Sequence, residues 1–198
     1  VYVYDVVEID LGEGTEIRGC VAGESGGGFY MDKECTLRAP GKLSIVGNEA
    51  GLSGGGILAG RSCVVDLREV EIRGCVAGRD GGGMLAFGGA ALTALNASLD
   101  ECVAGGVGGA MAVKDRSTVR LAGSIRVSRS RARDGGGVFA QGLELEFAGE
   151  TLTVEGNSAS GRGGGIASWT PLHLSRGSAR LTGNQAHVGG GWCGIGYE

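Results

Sequence analysis

Apolar and polar residues alternate along this chain in short, regularly spaced bursts. Leu43-Ser44-Ile45, Val70-Glu71-Ile72, Ala97-Ser98-Leu99, Ile125-Arg126-Val127, Leu152-Thr153-Val154 and Ala179-Arg180-Leu181 all read apolar-polar-apolar. A period of two places one face of a strand in a core and the other in water. The middle position is polar in every burst: Glu16, Ser44, Glu71, Ser98, Arg126, Thr153 and Arg180. After each burst comes a small residue, then an alanine, then a glycine cluster and a second apolar position. The clusters begin at Gly26, Gly54, Gly81, Gly108, Gly135, Gly163 and Gly189, with gaps of 28, 27, 27, 27, 28 and 26 residues.

A fixed period in this range is the mark of a solenoid. Helical solenoids are excluded by composition. Glycine supplies 43 of 198 residues, and each glycine inside a helix costs about 1 kcal/mol relative to alanine. The predicted fold is therefore all-β, a right-handed single-stranded parallel β-helix of about seven coils with about 27 residues per coil. Equivalent strands stack about 4.8 Å apart, giving a rod of roughly 30–35 Å. Ile17, Ile45, Ile72, Leu99, Val127, Val154 and Leu181 are expected to fill the tube on one side. Phe29, Ile57, Met84, Met111, Val138, Ile166 and Trp192, just after the glycines, are expected to fill it on another. The glycines mark a corner that needs positive φ or close backbone approach.

Three residues after each member of the first apolar column stands Cys20, Asn48, Cys75, Cys102, Ser130, Asn157 or Asn184. Such a column suits an inward turn position, where amides hydrogen-bond up the stack and Cys or Ser fits the same small space. The unit resembles the repeats of chlamydial polymorphic outer membrane proteins, whose paired motifs are F-x-x-N and G-G-A-I. Gly108-Gly109-Ala110-Met111 and Gly163-Gly164-Gly165-Ile166 are similar to the second motif. Ile45-Val46-Gly47-Asn48, Val154-Glu155-Gly156-Asn157 and Leu181-Thr182-Gly183-Asn184 are similar to the first. No repeat has Phe at the first position, and four of seven lack the Asn. The resemblance implies a β-helix serving adhesion or surface display.

The unbroken repeat predicts one domain over residues 1–198. The chain starts and stops partway through a coil, and neither end shows the polar cap that solenoids need. The expectation is a segment of a longer solenoid or larger protein. No apolar run approaches the roughly 18 residues of a membrane-spanning helix.

Cys35 and Cys63 lie 28 residues apart, and Cys75 and Cys102 lie 27 apart, one coil in each case. Each pair is expected on adjacent rungs, within disulfide Cα range. Two readings stay open: small buried apolar fillers, or disulfides of an exported protein. The absence of C-x-x-C spacing argues against zinc. Asn96-Ala97-Ser98 is a glycosylation sequon, with Asn96 expected to face outward.

Net charge is −4, from 18 basic and 22 acidic residues, which gives no general attraction to nucleic acid. Asp10, Arg38 and Asp66 share one coil position and predict a surface ion ladder. Carbohydrate-active β-helices need clustered carboxylates, for Ca²⁺ or for acid/base work on a glycosidic bond. Here no two aspartates are adjacent, and Asp80 and Asp134 share a column two coils apart with Val107 between. His173 and His187 fall at different coil positions. The glycine clusters mimic phosphate loops, but none opens a helix. The outward column is not the flat Thr array of an ice-binding surface. The sequence therefore predicts no catalytic, cofactor-binding or metal residues, and no cofactor. Its first functional reading is a non-enzymatic, adhesin-like segment of a secreted or cell-surface protein, meeting a protein or carbohydrate ligand. The alternative is a polysaccharide-binding or polysaccharide-degrading, pectate-lyase-like β-helix.

Overall fold

The computed structural model describes residues 1–175 and 177–194. It is all-β among the described residues, a parallel solenoid of about seven turns with about 27 residues per turn. Three sheets run along it, and every strand pairing is parallel. Register follows the repeat: Leu43↔Val70↔Ala97↔Ile125↔Leu152↔Ala179 and Ile45↔Ile72↔Leu99↔Val127↔Val154↔Leu181. The residues after the glycines stack in the same way, from Phe29↔Ile57↔Met84 to Ile166↔Trp192. These two columns face each other across one core, in which Phe29, Ile45, Ile57, Ile72, Met84 and Leu99 are fully enclosed. Trp192 departs from its column by lying 55% exposed, in the last described turn.

The strands differ from the predicted ones in three ways. First, the apolar-polar-apolar bursts are the ends of longer strands, Thr36–Val46, Val64–Arg73 and Ala91–Asp100. Pro40-Gly41 makes only a register shift between Ala39 and Lys42. In later coils the break returns at Gly123 and Gly177, which take positive φ. Second, the dipeptides Val21–Ala22, Glu49–Ala50, Val76–Ala77, Val103–Ala104, Arg131–Ala132 and Ser158–Ala159 form a sheet of their own. Third, the strands after the glycines are buried on both faces. Leu58, Leu85, Ala112, Phe139 and Ala167 point away from the main core into a second apolar cluster, closed by Phe87 and Trp169. Phe139 and Trp169 pack with ring centroids 4.8 Å apart.

Glycine acts here in two separate ways. Gly19, Gly47, Gly74, Gly156 and Gly183 form a left-handed column with φ of 61–63°. The column also holds Glu101 at φ 54° and Arg129 at φ 49°, so side chains are tolerated there at a conformational cost. The second glycine of each cluster is required by space. A Cβ on Gly82 would sit 2.3 Å from the Gly109 carbonyl oxygen and 2.4 Å from that of Val103.

These two requirements have different energies. Gly74→Ala, with nothing within 4 Å of its added Cβ, is expected to lose about 1 kcal/mol of stability. Gly82→Ala forces two backbone carbonyls apart and is expected to lose about 3 kcal/mol or more. Urea denaturation of the two variants measures the difference; equal losses would contradict the steric role of the second glycine.

Candidate functional site

The small-residue column is a working polar ladder. At each member the chain turns through the left-handed residue before it, leaving an N–H and a C=O without strand partners. Buried groups of this kind must be satisfied. The side chain of the next coil does so. Asn48 Oδ1 accepts from the Cys20 N–H at 2.8 Å, and its Nδ2 donates to the Ile17 carbonyl at 3.0 Å. Asn157 repeats both contacts, on the Ser130 N–H at 2.9 Å and the Val127 carbonyl at 3.0 Å. Asn184 does the same for the Asn157 N–H and the Val154 carbonyl. Ser130 Oγ accepts from the Cys102 N–H at 3.2 Å. The thiols of Cys75 and Cys102 donate weakly to the Ile45 and Ile72 carbonyls, at 3.7 and 3.9 Å. Cys20 departs from the expected inward position. It is exposed, because no described coil lies beneath it.

The loops use a parallel device. Asp32 Oδ1 accepts from the Arg61 N–H at 2.8 Å, and its carboxylate is gripped by the Arg61 guanidinium at 2.6–3.2 Å. That hydrogen bonding holds the Asp32 carboxyl below its usual value despite burial. Asp80 Oδ1 accepts from the Val107 N–H at 3.1 Å, and Asp134 Oδ1 accepts from the Arg162 N–H at 2.9 Å. The two aspartates that share a column are thus occupied in tying one coil to the next. Asn96 is half-buried inside a strand, with Oδ1 accepting from the Ser124 N–H at 2.9 Å. It supplies the acceptor where the next strand is broken at Gly123.

All six cysteines are thiols in the structure. Cys35, Cys63, Cys75 and Cys102 are fully enclosed. Burial pushes the Cys63 thiol up to about 11. Cys102 is raised well above an ordinary thiol, because it hydrogen-bonds to Cys75 and is buried. Neither side chain is a ready nucleophile, since the thiolate is the reactive form.

One open groove, of about 610 Å³, lies on the outer face of the long strands. One wall is the predicted ion ladder. Asp10↔Arg38↔Asp66↔Thr93↔Arg120↔Glu146↔His173 stack in register over seven coils. Arg38 pairs with Glu8 and Asp10 at 3.5 and 3.7 Å, and Arg120 pairs with Glu146 at 3.3 Å. Thr93 Oγ1 donates to Asp66 at 2.8 Å. The other wall carries Pro40, Arg68 and Leu95, with no aromatic ring among the described lining residues. Among the described residues, no three His, Cys, Asp or Glu side chains converge where a metal could sit. No described helix is long and apolar enough to cross a membrane. The sequence shows the charge column but not the groove, which depends on strands continuing through Pro40-Gly41.

Comparison of the chain with protein-family profiles, curated proteins and solved structures gave no match.

Asn157 is the test of the ladder. Asn157→Ala strands the Ser130 N–H and the Val127 carbonyl in the core, with an expected loss of about 3 kcal/mol in urea denaturation. A loss below about 0.5 kcal/mol would show those contacts to be dispensable. Thiol titration tests the cysteines. Native protein is expected to react first at Cys20, and all six cysteines are expected to react after denaturation without reductant. A count of two or four under those conditions would reveal disulfides.

Proposed function

We propose that this chain is a non-enzymatic interaction module, a rigid β-helical segment of a secreted or cell-surface protein. Its grooved face meets a protein ligand. The observation that carries the reading is the ladder from Asp10 to Glu146. Acid and base alternate along it with one interruption, at Thr93, and each carboxylate meets a cation or a hydroxyl instead of a second carboxylate. A general acid needs burial or a like-charged neighbour to stay protonated; a cationic neighbour acts in the opposite direction. A row of fixed, alternating charges suits recognition, where charge complementarity sets register and rejects wrong partners. The resemblance to the chlamydial surface repeats supports the same reading, as does the spacing of binding residues by a stiff backbone scaffold.

Two assays test it. The folded chain is incubated with polygalacturonate, pectin and alginate, and released reducing ends are measured. No release above a boiled control is expected; release that disappears in Asp66→Asn would overturn the proposal in favour of a polysaccharide-degrading enzyme. Labelled chain is also applied to immobilised collagen, laminin and fibronectin. Saturable binding to at least one, weakened about tenfold by the double charge reversal Arg38→Glu and Arg120→Glu, is expected from the cost of like-charge juxtaposition. Binding to none of them, or binding unchanged by the reversal, would remove the groove from the proposal.

A further inference from the structure

On the loop edge between the sheet of dipeptides and the sheet of strands that follow the glycines, Arg79, Gly106 and Arg133 occupy one position on three successive coils. The Gly106 N–H donates to the Arg79 carbonyl at 2.5 Å, and the Arg133 N–H donates to the Gly106 carbonyl at 2.8 Å. Two rungs separate the arginines, roughly 9–10 Å along the stack. Gly106 puts no side chain between them. The gap is a notch of about 380 Å³, and Lys114 reaches it from the adjoining strand.

The charges in this notch are unevenly committed. Asp80 is enclosed, with one oxygen on the Val107 N–H and the other on Lys114 Nζ at 3.1 Å. Asp134 is held by the Arg162 N–H and by Arg133 Nε at 3.1 Å. Both carboxylates therefore already have their donors. The cations do not have all their acceptors. Arg79 is exposed and makes no ion pair among the described residues. The terminal guanidinium nitrogens of Arg133 and the remaining ammonium hydrogens of Lys114 also stay available. Three cations against two carboxylates leave a net charge of +1 facing the notch.

From this geometry we infer that the notch between Arg79 and Arg133 binds a tetrahedral oxyanion, a sulfate or phosphate group. Arginine forks on two walls and an ammonium from a third direction supply donors to three faces of such an ion. Guanidinium pairs bidentately with oxyanions of this kind, and the arrangement is suited to them. A planar carboxylate needs only one fork and leaves the other cations unused. The site lies off the groove, so the inference does not rest on the function proposed above, and either can fail alone.

The test is a titration of isotope-labelled chain with sodium sulfate at constant ionic strength, followed by amide chemical shifts. Inorganic phosphate and glucosamine 6-sulfate serve as further probes, and acetate as the control. Saturable shifts confined to Gly105, Gly106 and their neighbours are expected for the tetrahedral ions. A stronger response to the sulfated sugar than to free sulfate would identify an esterified ligand; equal or weaker response would identify the free ion. Arg79→Gln and Arg133→Gln are expected to weaken binding at least about tenfold, in line with the loss of a charge-assisted fork. Arg79→Lys should fall between, and Arg131→Gln, on the neighbouring strand, should bind as the parent does. Unperturbed shifts outside the loop verify that each variant is folded. Non-saturating shifts, equal response to acetate, or equal weakening by Arg131→Gln would overturn the inference.

Discussion

The controlling constraint is the approach of one coil to the next. Backbone hydrogen bonds run up all three sheets, and they fix a rung spacing of about 4.8 Å on every side of the tube at once. Each residue is therefore stacked on its equivalent in the coil before, and each column must be compatible with its own copy at that distance. At the second glycine of each cluster the available space is nil. The Cβ that Gly55, Gly82 or Gly109 lacks would lie within 2.1–2.6 Å of carbonyl oxygens in the neighbouring coil and sheet. In the aliphatic columns, the same spacing brings Ile45, Ile72 and Leu99 into contact and encloses them. The hydrophobic gain of a fully buried side chain of this size, about 1.5–3 kcal/mol, recurs in each coil.

The polar ladder follows from that constraint. A chain that turns sharply in every coil must leave backbone groups unpaired at each turn, and they lie against the core. Asn48, Asn157 and Asn184 carry a donor and an acceptor on one side chain, so each satisfies both groups of the coil beneath. Ser130 and the cysteines each meet one of the two groups, through longer and weaker contacts. The loops solve the same problem with aspartate. The carboxylates of Asp32, Asp80 and Asp134 are consequently parts of the scaffold, each tied to a backbone N–H of the next coil.

Most of the fold is legible in the chain because every coil faces the same requirement and repeats its answer. The apolar columns, the Asn/Cys/Ser column and the Asp10–Arg38–Asp66 ladder can all be read from residue type and spacing. What escapes the sequence has particular reasons. The sheet of dipeptides such as Val76–Ala77 is too short to show a period. The outer apolar cluster escapes because Leu58 and Leu85 occupy positions where alternation calls for polar residues, and both faces of a doubly covered strand are apolar. The Asp32–Arg61 pair joins residues 29 apart, and only the coil brings them together. The groove and the Gly106 notch escape for a related reason. Both are concavities, created by which side chains are absent or displaced between stacked neighbours.

A methyl NOE spectrum of the folded chain tests the stacking of like residues most directly. Cross-peaks are expected between the side chains of Ile45 and Ile72 and of Ile72 and Leu99, in that order and without a direct Ile45–Leu99 peak of comparable strength. Peaks connecting these residues in any other register, or none between successive coils, would contradict the stacked arrangement.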